Sequence, residues 1–200
     1  GIGDNDKSVG DLPFVELGLG GGDRWRNPYY YHVHGKLAGV SDAKELCYVL
    51  YVLSGATGEH PQLIINGASP VVEAAVIISK GENGKLDEEN GDNDGVYETK
   101  SPTETFDDLV TFLNPEALWS KLCGSYALLT VNNSNCAPWV DIYENGNLRG
   151  RVRFGDSRSL LLTKGASIEI RQGGTTCCTF TLSGNISVRT DCRLRCRCIF

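Results

Sequence analysis

Residues 139–154 read Trp139-Val140-Asp141-Ile142-Tyr143-Glu144-Asn145-Gly146-Asn147-Leu148-Arg149-Gly150-Arg151-Val152-Arg153-Phe154. The run is broken at Asn145-Gly146, a dipeptide that accepts the positive φ a type I′ turn needs at both central positions. This is a β-hairpin. The same period of two continues outward, over 125–132 on one side and over 159–164, 167–171, 175–182 and 186–190 on the other. Strands at spacings of roughly 8–12 residues, with glycine turns between them, predict a sandwich or jelly roll.

Toward the N-terminus, 12–19, 29–37, 46–53, 62–66 and 71–79 also read as strands, followed by 96–99 and 109–113. Between them lies an acidic Gly/Asn-rich segment, 81–95, with the composition of a long exposed loop. The one helix signal is Asn114-Pro115-Glu116, continuing to Leu122, where Asn can cap, Pro fits the first position and Glu suits the positive dipole end. The fold class is therefore all-β, an antiparallel sandwich or jelly roll with one short helix. A seam at 81–95 or 99–108 leaves room for two β lobes. The expected divisions are a Gly-rich arm (1–28), an N-terminal β lobe (29–108), a jelly-roll-like domain (109–190) and a Cys/Arg-rich tail (191–200).

At 200 residues and 40% hydrophobic content the chain can bury a core without help from its eight cysteines. The net charge of −6 gives no electrostatic footprint for nucleic acid. The longest apolar run, 71–78, is interrupted by Glu73 and is too short for a membrane span. The chain lacks Met and opens at Gly1 without a charged-then-apolar leader, which reads as a processed or trimmed form. Charge is unevenly divided: residues 149–200 carry ten bases and three acids (+7), and the rest carries −13. Such asymmetry either cancels within one monomer or favours head-to-tail contact between copies.

Cys47, Cys123 and Cys136 are scattered, whereas Cys177, Cys178, Cys192, Cys196 and Cys198 crowd the C-terminal end. No Cys-x-x-Cys pair exists, which disfavours zinc and thioredoxin readings. Adjacent Cys177 and Cys178 would point to opposite faces of a strand, leaving one for a partner. Arginines around Cys196-Arg197-Cys198 would raise the thiolate fraction that starts disulfide exchange. Two readings stay open: four intrachain disulfides in a secreted monomer, or a tail that carries thiols to a neighbouring subunit. Both imply an oxidising setting.

One longer pattern connects the C-terminal motifs. Gly124-Ser125-Tyr126-Ala127 precedes the hairpin run Val140 to Gly146; Val152-Arg153-Phe154-Gly155-Asp156-Ser157-Arg158-Ser159-Leu160 follows it, then Ala166-Ser167-Ile168-Glu169-Ile170 and Gly174-Thr175-Thr176-Cys177-Cys178. Over residues 124–190 this resembles the jelly-roll subunits of S-type bacterial endospore appendage fibres. The resemblance implies a helical fibre built by edge-to-edge sheet augmentation and locked by intersubunit disulfides, with Cys177 or Cys178 at the position of a late-strand thiol. The chain departs from that family at its N-terminus, where residues 1–46 hold no Cys to match the family's Cys-bearing connector. A Gly-rich arm, at 1–10 or 18–22, remains available as a hinge or donor strand.

Two metal patterns occur. Asn90, Asp92 and Asp94, with Gly95 next and Glu98 at the ninth position, have the opening spacing of a calcium loop, but the twelfth position is Ser101 rather than Glu. A solvated acidic loop has the same composition. His32 and His34, two apart on one strand face, would hold a transition metal only with a third ligand. No cofactor is expected beyond calcium at that loop. Catalysis finds no set of residues for its roles: there is no Gly-x-Ser-x-Gly elbow, and Gly18 to Gly22 lack the Lys-Ser/Thr of a phosphate loop. Asn132 and Asn185 head sequons. Trp25, Trp119 and Trp139 suit either core packing or a sugar platform.

The expectation is a non-enzymatic extracellular or cell- or spore-surface subunit that polymerises with copies of itself through strand augmentation and disulfides. The alternative is a secreted carbohydrate- or calcium-binding β-sandwich module, a lectin or adhesin, with intrachain disulfides.

Overall fold

The computed structural model describes residues 8–13, 17, 21–193 and 195–200. Most of the strand expected over 12–19, and the glycine-rich stretches 1–7 and 18–20, lie outside the described residues. The chain is mostly β and divides into two compact units, Gly1–Leu122 and Cys123–Phe200. The unit boundary falls after the strand at 109–113 and the helix that follows it, both of which belong to the first unit rather than to a domain beginning at 109.

In chain order the first unit contains β1 (Val9–Asp11), β2 (Tyr30–Val33), α1 (Gly35–Ala38), α2 (Ala43–Leu53), β3 (Gln62–Ile65), β4 (Val71–Val72) and β5 (Ala75–Ser79). A 3-10 turn at Glu88–Gly91, β6 (Val96–Thr99), β7 (Leu109–Leu113) and α3 (Pro115–Leu122) complete it. One sheet has the order β1-β2-β5-β7, all antiparallel; a smaller one has the order β4-β3-β6, with β3 and β6 parallel. Leu63, Val76, Ile78 and Tyr97 form the core between them. β1 thus gives part of the expected arm a place at a sheet edge.

The strand expected over 46–53 is a helix. Tyr48, Val49, Tyr51 and Val52 favour β structure locally, but the start signal upstream outweighs them. Asp42 accepts from the Glu45 N–H at 2.8 Å, while the Glu45 carboxylate takes the Ser41 N–H at 2.9 Å and the Ser41 hydroxyl at 2.7 Å. These reciprocal bonds satisfy amides that a helix start leaves unpaired. Cys47, Leu50 and Leu53 then recur at helical spacing and are the buried face. A second departure is α1, where the expected strand over 29–37 ends at Val33 and His34 caps a single turn by accepting from the Lys36 N–H. The acidic segment 81–95 is not wholly exposed either: its 3-10 turn buries Asn90. The helix after Asn114 is as expected, with Asn114 Oδ1 accepting from the Ala117 N–H at 3.1 Å.

The second unit is a β-sandwich. Its strands are β8 (Tyr126–Asn133), β9 (Trp139–Glu144), β10 (Asn147–Arg153), β11 (Ser157–Thr163), β12 (Ser167–Gln172), β13 (Thr175–Thr181), β14 (Ile186–Asp191) and β15 (Arg197–Ile199). They form two four-stranded sheets, β10-β9-β12-β13 and β11-β8-β14-β15, in which only β8 and β14 run parallel. The alternation puts Ala127, Leu129, Val131, Leu162 and Val188 of one sheet against Val140, Ile142, Val152, Ile168 and Ile170 of the other. The hairpin turn has φ of 48° at Asn145 and 79° at Gly146, as a type I′ turn requires. The expected Cys/Arg tail contributes β15 to this sandwich.

Asn133, fully buried, ties the end of the sandwich together. Its Nδ2 donates to the Cys136 carbonyl (2.8 Å) and the Val152 carbonyl (3.0 Å). Its Oδ1 accepts from the Cys136 N–H (2.9 Å) and the Thr190 hydroxyl (3.1 Å). Truncating it strands several buried polar groups, each worth about 1–3 kcal/mol. Asn133→Ala should therefore lower stability to denaturant by about 2–4 kcal/mol. The exposed neighbour change Asn132→Ala should stay within about 0.5 kcal/mol. Equal midpoints for the two variants would refute this account.

Candidate functional site: the disulfide-bonded end of the sandwich

Three disulfides gather at the C-terminal segment: Cys136–Cys192, Cys177–Cys196 and Cys178–Cys198, with Cα separations of 5.1, 4.6 and 5.8 Å. Cys47 and Cys123 are disulfide-bonded as well, and no described cysteine is free. The thiols expected to reach a neighbouring copy are thus engaged within their own chain. No thiolate is left for the arginines to stabilise, and they serve other partners: Arg197 donates to Asp191 at 2.9 Å and Arg189 to the Ser134 hydroxyl at 3.2 Å.

The adjacent pair Cys177-Cys178 was expected to point to opposite faces. The ladder between β12 and β13 pairs Ile170 with Cys178 and then Arg171 with Thr176, so Cys177 is an extra residue, a β-bulge. A bulge resets the alternation and re-aims a side chain. Both sulfurs then reach one segment, two residues apart at Cys196 and Cys198. Sγ of Cys136 lies 4.0 Å from Sγ of Cys196, which brings two of the bridges side by side.

Asp191 organises the approach to this cluster. It accepts from Asn135 Nδ2 (2.8 Å), Arg197 (2.9 Å) and the Arg193 N–H (3.2 Å), and the Cys192 N–H donates to Asn135 Oδ1 (2.8 Å). The Asn135 and Arg197 bonds hold the Asp191 carboxyl far below its ordinary range. The arrangement is a mechanical lock: covalent bridges and a charge-assisted clasp hold β15 and its connection to the sandwich.

The expected metal residues are placed apart. His32 Nδ1 is 2.9 Å from the Tyr97 hydroxyl, which also lies 3.2 Å from that of Tyr30. His34 Nδ1 accepts from the Lys36 N–H, and its Nε2 faces Glu59 at 3.1 Å. Burial lowers the His34 pKa despite Glu59. Among the described residues neither histidine joins a three-ligand group. In the acidic loop, Asn90 is buried and bonded to Asp108 and to the Glu98 N–H, while Glu98 pairs with Lys100. Exposed Asp92 and Asp94 group instead with half-buried Glu89, so the four residues of the calcium pattern do not converge. The third tryptophan of the suggested platform, Trp139, has the Arg151 guanidinium 4.4 Å over its ring.

One residue was passed over in the sequence because it merely interrupts an apolar run. Glu73 is 2% exposed, and its Oε2 has no partner among the described residues. Burial pushes its pKa up to about 7, against a side-chain hydrogen bond from Asn114. No spacing marks it; it lies in the two-residue connection between β4 and β5, where its N–H donates to the Pro61 carbonyl at 2.9 Å. Neither a known protein family, a curated protein nor a solved structure matches the chain.

Two outcomes follow for this geometry. After alkylation of free thiols, a denaturing gel without reductant should show one monomer band, running ahead of the reduced band; a ladder that collapses with reductant would show bridges between chains instead. Glu73 holds its proton more tightly folded than unfolded, so its contribution is greatest below about pH 4.5 and declines as pH rises to about 7. Glu73→Gln should remove that decline and be more stable than the parent at pH 8, by up to about 3 kcal/mol. Parallel pH–stability curves for the two proteins would contradict the assignment.

Proposed function

We propose that this chain is a non-enzymatic extracellular structural subunit that assembles with copies of itself by strand augmentation, each copy being hardened by its own disulfides. The observation that carries the reading is β7. It is the last strand of its sheet, it pairs only with β5 among the described strands, and its sequence Leu109-Val110-Thr111-Phe112-Leu113 contains no charge and no Pro. Leu109, Phe112 and Leu113 are 53%, 39% and 42% exposed. Natural edge strands are ordinarily blunted by Lys, Pro or a bulge, because an open row of backbone groups templates pairing.

Beside this edge, Leu109 and Thr111 join Trp25, Tyr29, Ile77 and Ser79 around an open groove of about 510 Å³. Augmentation takes affinity from backbone pairing and specificity from such side-chain pockets. Charge supports a head-to-tail order. The first unit carries nine bases and twenty acids (−11), the second ten bases and five acids (+5). A heterologous contact between the first unit of one copy and the second unit of another gives a filament where its rotation does not close into a ring. The resemblance of residues 124–190 to appendage-fibre subunits points the same way. An oxidising location is supported by the disulfides, and no helix among the described residues is long and apolar enough to cross a membrane.

The absence of a free described thiol favours a second reading, a secreted disulfide-stabilised binding module that stays monomeric. Assembly separates the two. The parent chain should form concentration-dependent oligomers in sedimentation velocity and filaments under negative stain. Leu109→Lys with Phe112→Lys should remain monomeric with unfolding stability changed by less than about 1 kcal/mol. A parent chain that stays monomeric at every concentration would sink the structural-subunit reading.

A further inference from the structure

In the first unit the acidic segment and the approach to β7 converge on three carboxylates. Asp87, Asp107 and Asp108 each bring a carboxylate oxygen to within 4.8 Å of the others. Donors fix one oxygen of Asp107, one of Asp108 and both of Asp87. Asp107 Oδ2 accepts from the Glu82 N–H (2.7 Å) and the Asn83 N–H (3.2 Å). Asp108 Oδ2 accepts from the Asp87 N–H (2.8 Å) and Asn90 Nδ2 (2.9 Å). Asp87 takes the Asp107 N–H and Asn83 Nδ2, each at 2.9 Å.

The other oxygen of Asp107 and of Asp108 is left open. Oδ1 of Asp107 and Oδ1 of Asp108 are both buried without a hydrogen-bond partner among the described residues, and Asp108 is only 2% exposed. None of the ion pairs among the described residues involves the three aspartates. A buried carboxylate oxygen with neither donor nor counter-charge is costly, and two of them beside a third carboxylate compound the cost. The backbone is built around the cluster: Gly81, at φ +59°, sits where a Cβ would collide with the Asp107 carboxylate.

We propose that Asp87, Asp107 and Asp108 form a binding site for a hard divalent cation of the calcium class, with the two unpartnered Oδ1 oxygens among its ligands. An all-oxygen, carboxylate set suits calcium or magnesium rather than zinc or copper. A set drawn from loop residues suits the looser, larger calcium shell over the strict octahedron of magnesium. The site differs from the 90–98 calcium pattern, to which Asn90 joins it by bonds to Asp108 and to the Asp87 carbonyl, and it is independent of whether the chain assembles. Its effect is to fasten the loop at 81–95 to the segment that leads into β7.

The test is a calorimetric titration of the full, chelator-treated chain with calcium chloride, with magnesium chloride in parallel and thermal melts at each end point. One calcium per chain should bind with a Kd of about 0.1–1 mM, the range of extracellular modules. At ten times Kd the melting midpoint should rise by about 3–5 °C. Asp107→Asn turns an amide N–H toward the ion and should weaken binding more than about tenfold, as should Asp108→Asn. The double change Asp92→Asn with Asp94→Asn should leave binding intact. No saturable heat in the parent chain, binding undiminished in Asp107→Asn, or loss in the Asp92/Asp94 variant would each overturn the site. An equal response to magnesium would overturn the calcium class. If Asp108→Asn fails to fold, the parent isotherm and Asp107→Asn still decide.

Discussion

The second unit depends on one polar side chain in a dry place. Asn133 sits at the end of β8 with no exposed surface, and its amide satisfies both backbone groups of Cys136 together with the Val152 carbonyl and the Thr190 hydroxyl. Those groups belong to the turn after β8, to β10 and to β14, and so to both sheets. A hydrophobic residue at 133 could fill the volume but would leave the turn's amide and carbonyl unpaired. Because Asn133 fixes Cys136, it also fixes where the Cys136–Cys192 bridge can form, and with it the start of the C-terminal segment. The covalent lock rests on a hydrogen-bonded one.

Two bulges do for side chains what Asn133 does for the turn. At Cys177 the extra residue lets adjacent cysteines meet one segment. At Arg149 a register shift between β9 and β10 leaves the guanidinium free to reach the buried Glu144, with Nε 2.8 Å from Oε2. Glu144 Oε1 accepts the Thr163 N–H at 2.7 Å, which carries the connection across to β11. Gly150, next to that bulge, has room for no Cβ without pressing on Leu160 at 3.1 Å. Each irregularity of the ladder thus supports a link that a regular strand would have missed.

The first unit is held differently. Buried polar groups stand beside its core: His32 with Tyr97 and half-buried Tyr30, His34, Glu73 and Asp108. Burial pushes the Tyr97 phenol far above its ordinary range and raises Asp108, while hydrogen bonds around Asp87 outweigh burial there and hold it low. Two of these groups are only partly satisfied, Glu73 and Asp108 each keeping a buried oxygen without a partner among the described residues, which works against the apolar core. Leu109, Phe112 and Leu113 stand at an open edge of the same unit, where a second chain would complete their burial.

The sequence alone determined the period of two that makes most of this chain β, the Asn145-Gly146 turn and the capped helix after Asn114. These are local: dihedral preference, alternation and capping act within a few residues of one another. It also held, unread, the Ser41-Asp42 and Glu45 start signal that turns residues 43–53 into a helix against their β propensity. Only the tertiary structure decided the partners. Which cysteine meets which, that Glu73 turns inward, that Asp87 meets Asp107 and Asp108 across about twenty residues, and that His32 and His34 take separate partners all depend on pairing between distant segments. Register and bulges set the pairings inside the sheets, where a one-residue slip would send His32 or Cys178 to the other face, and the connections between strands place the rest.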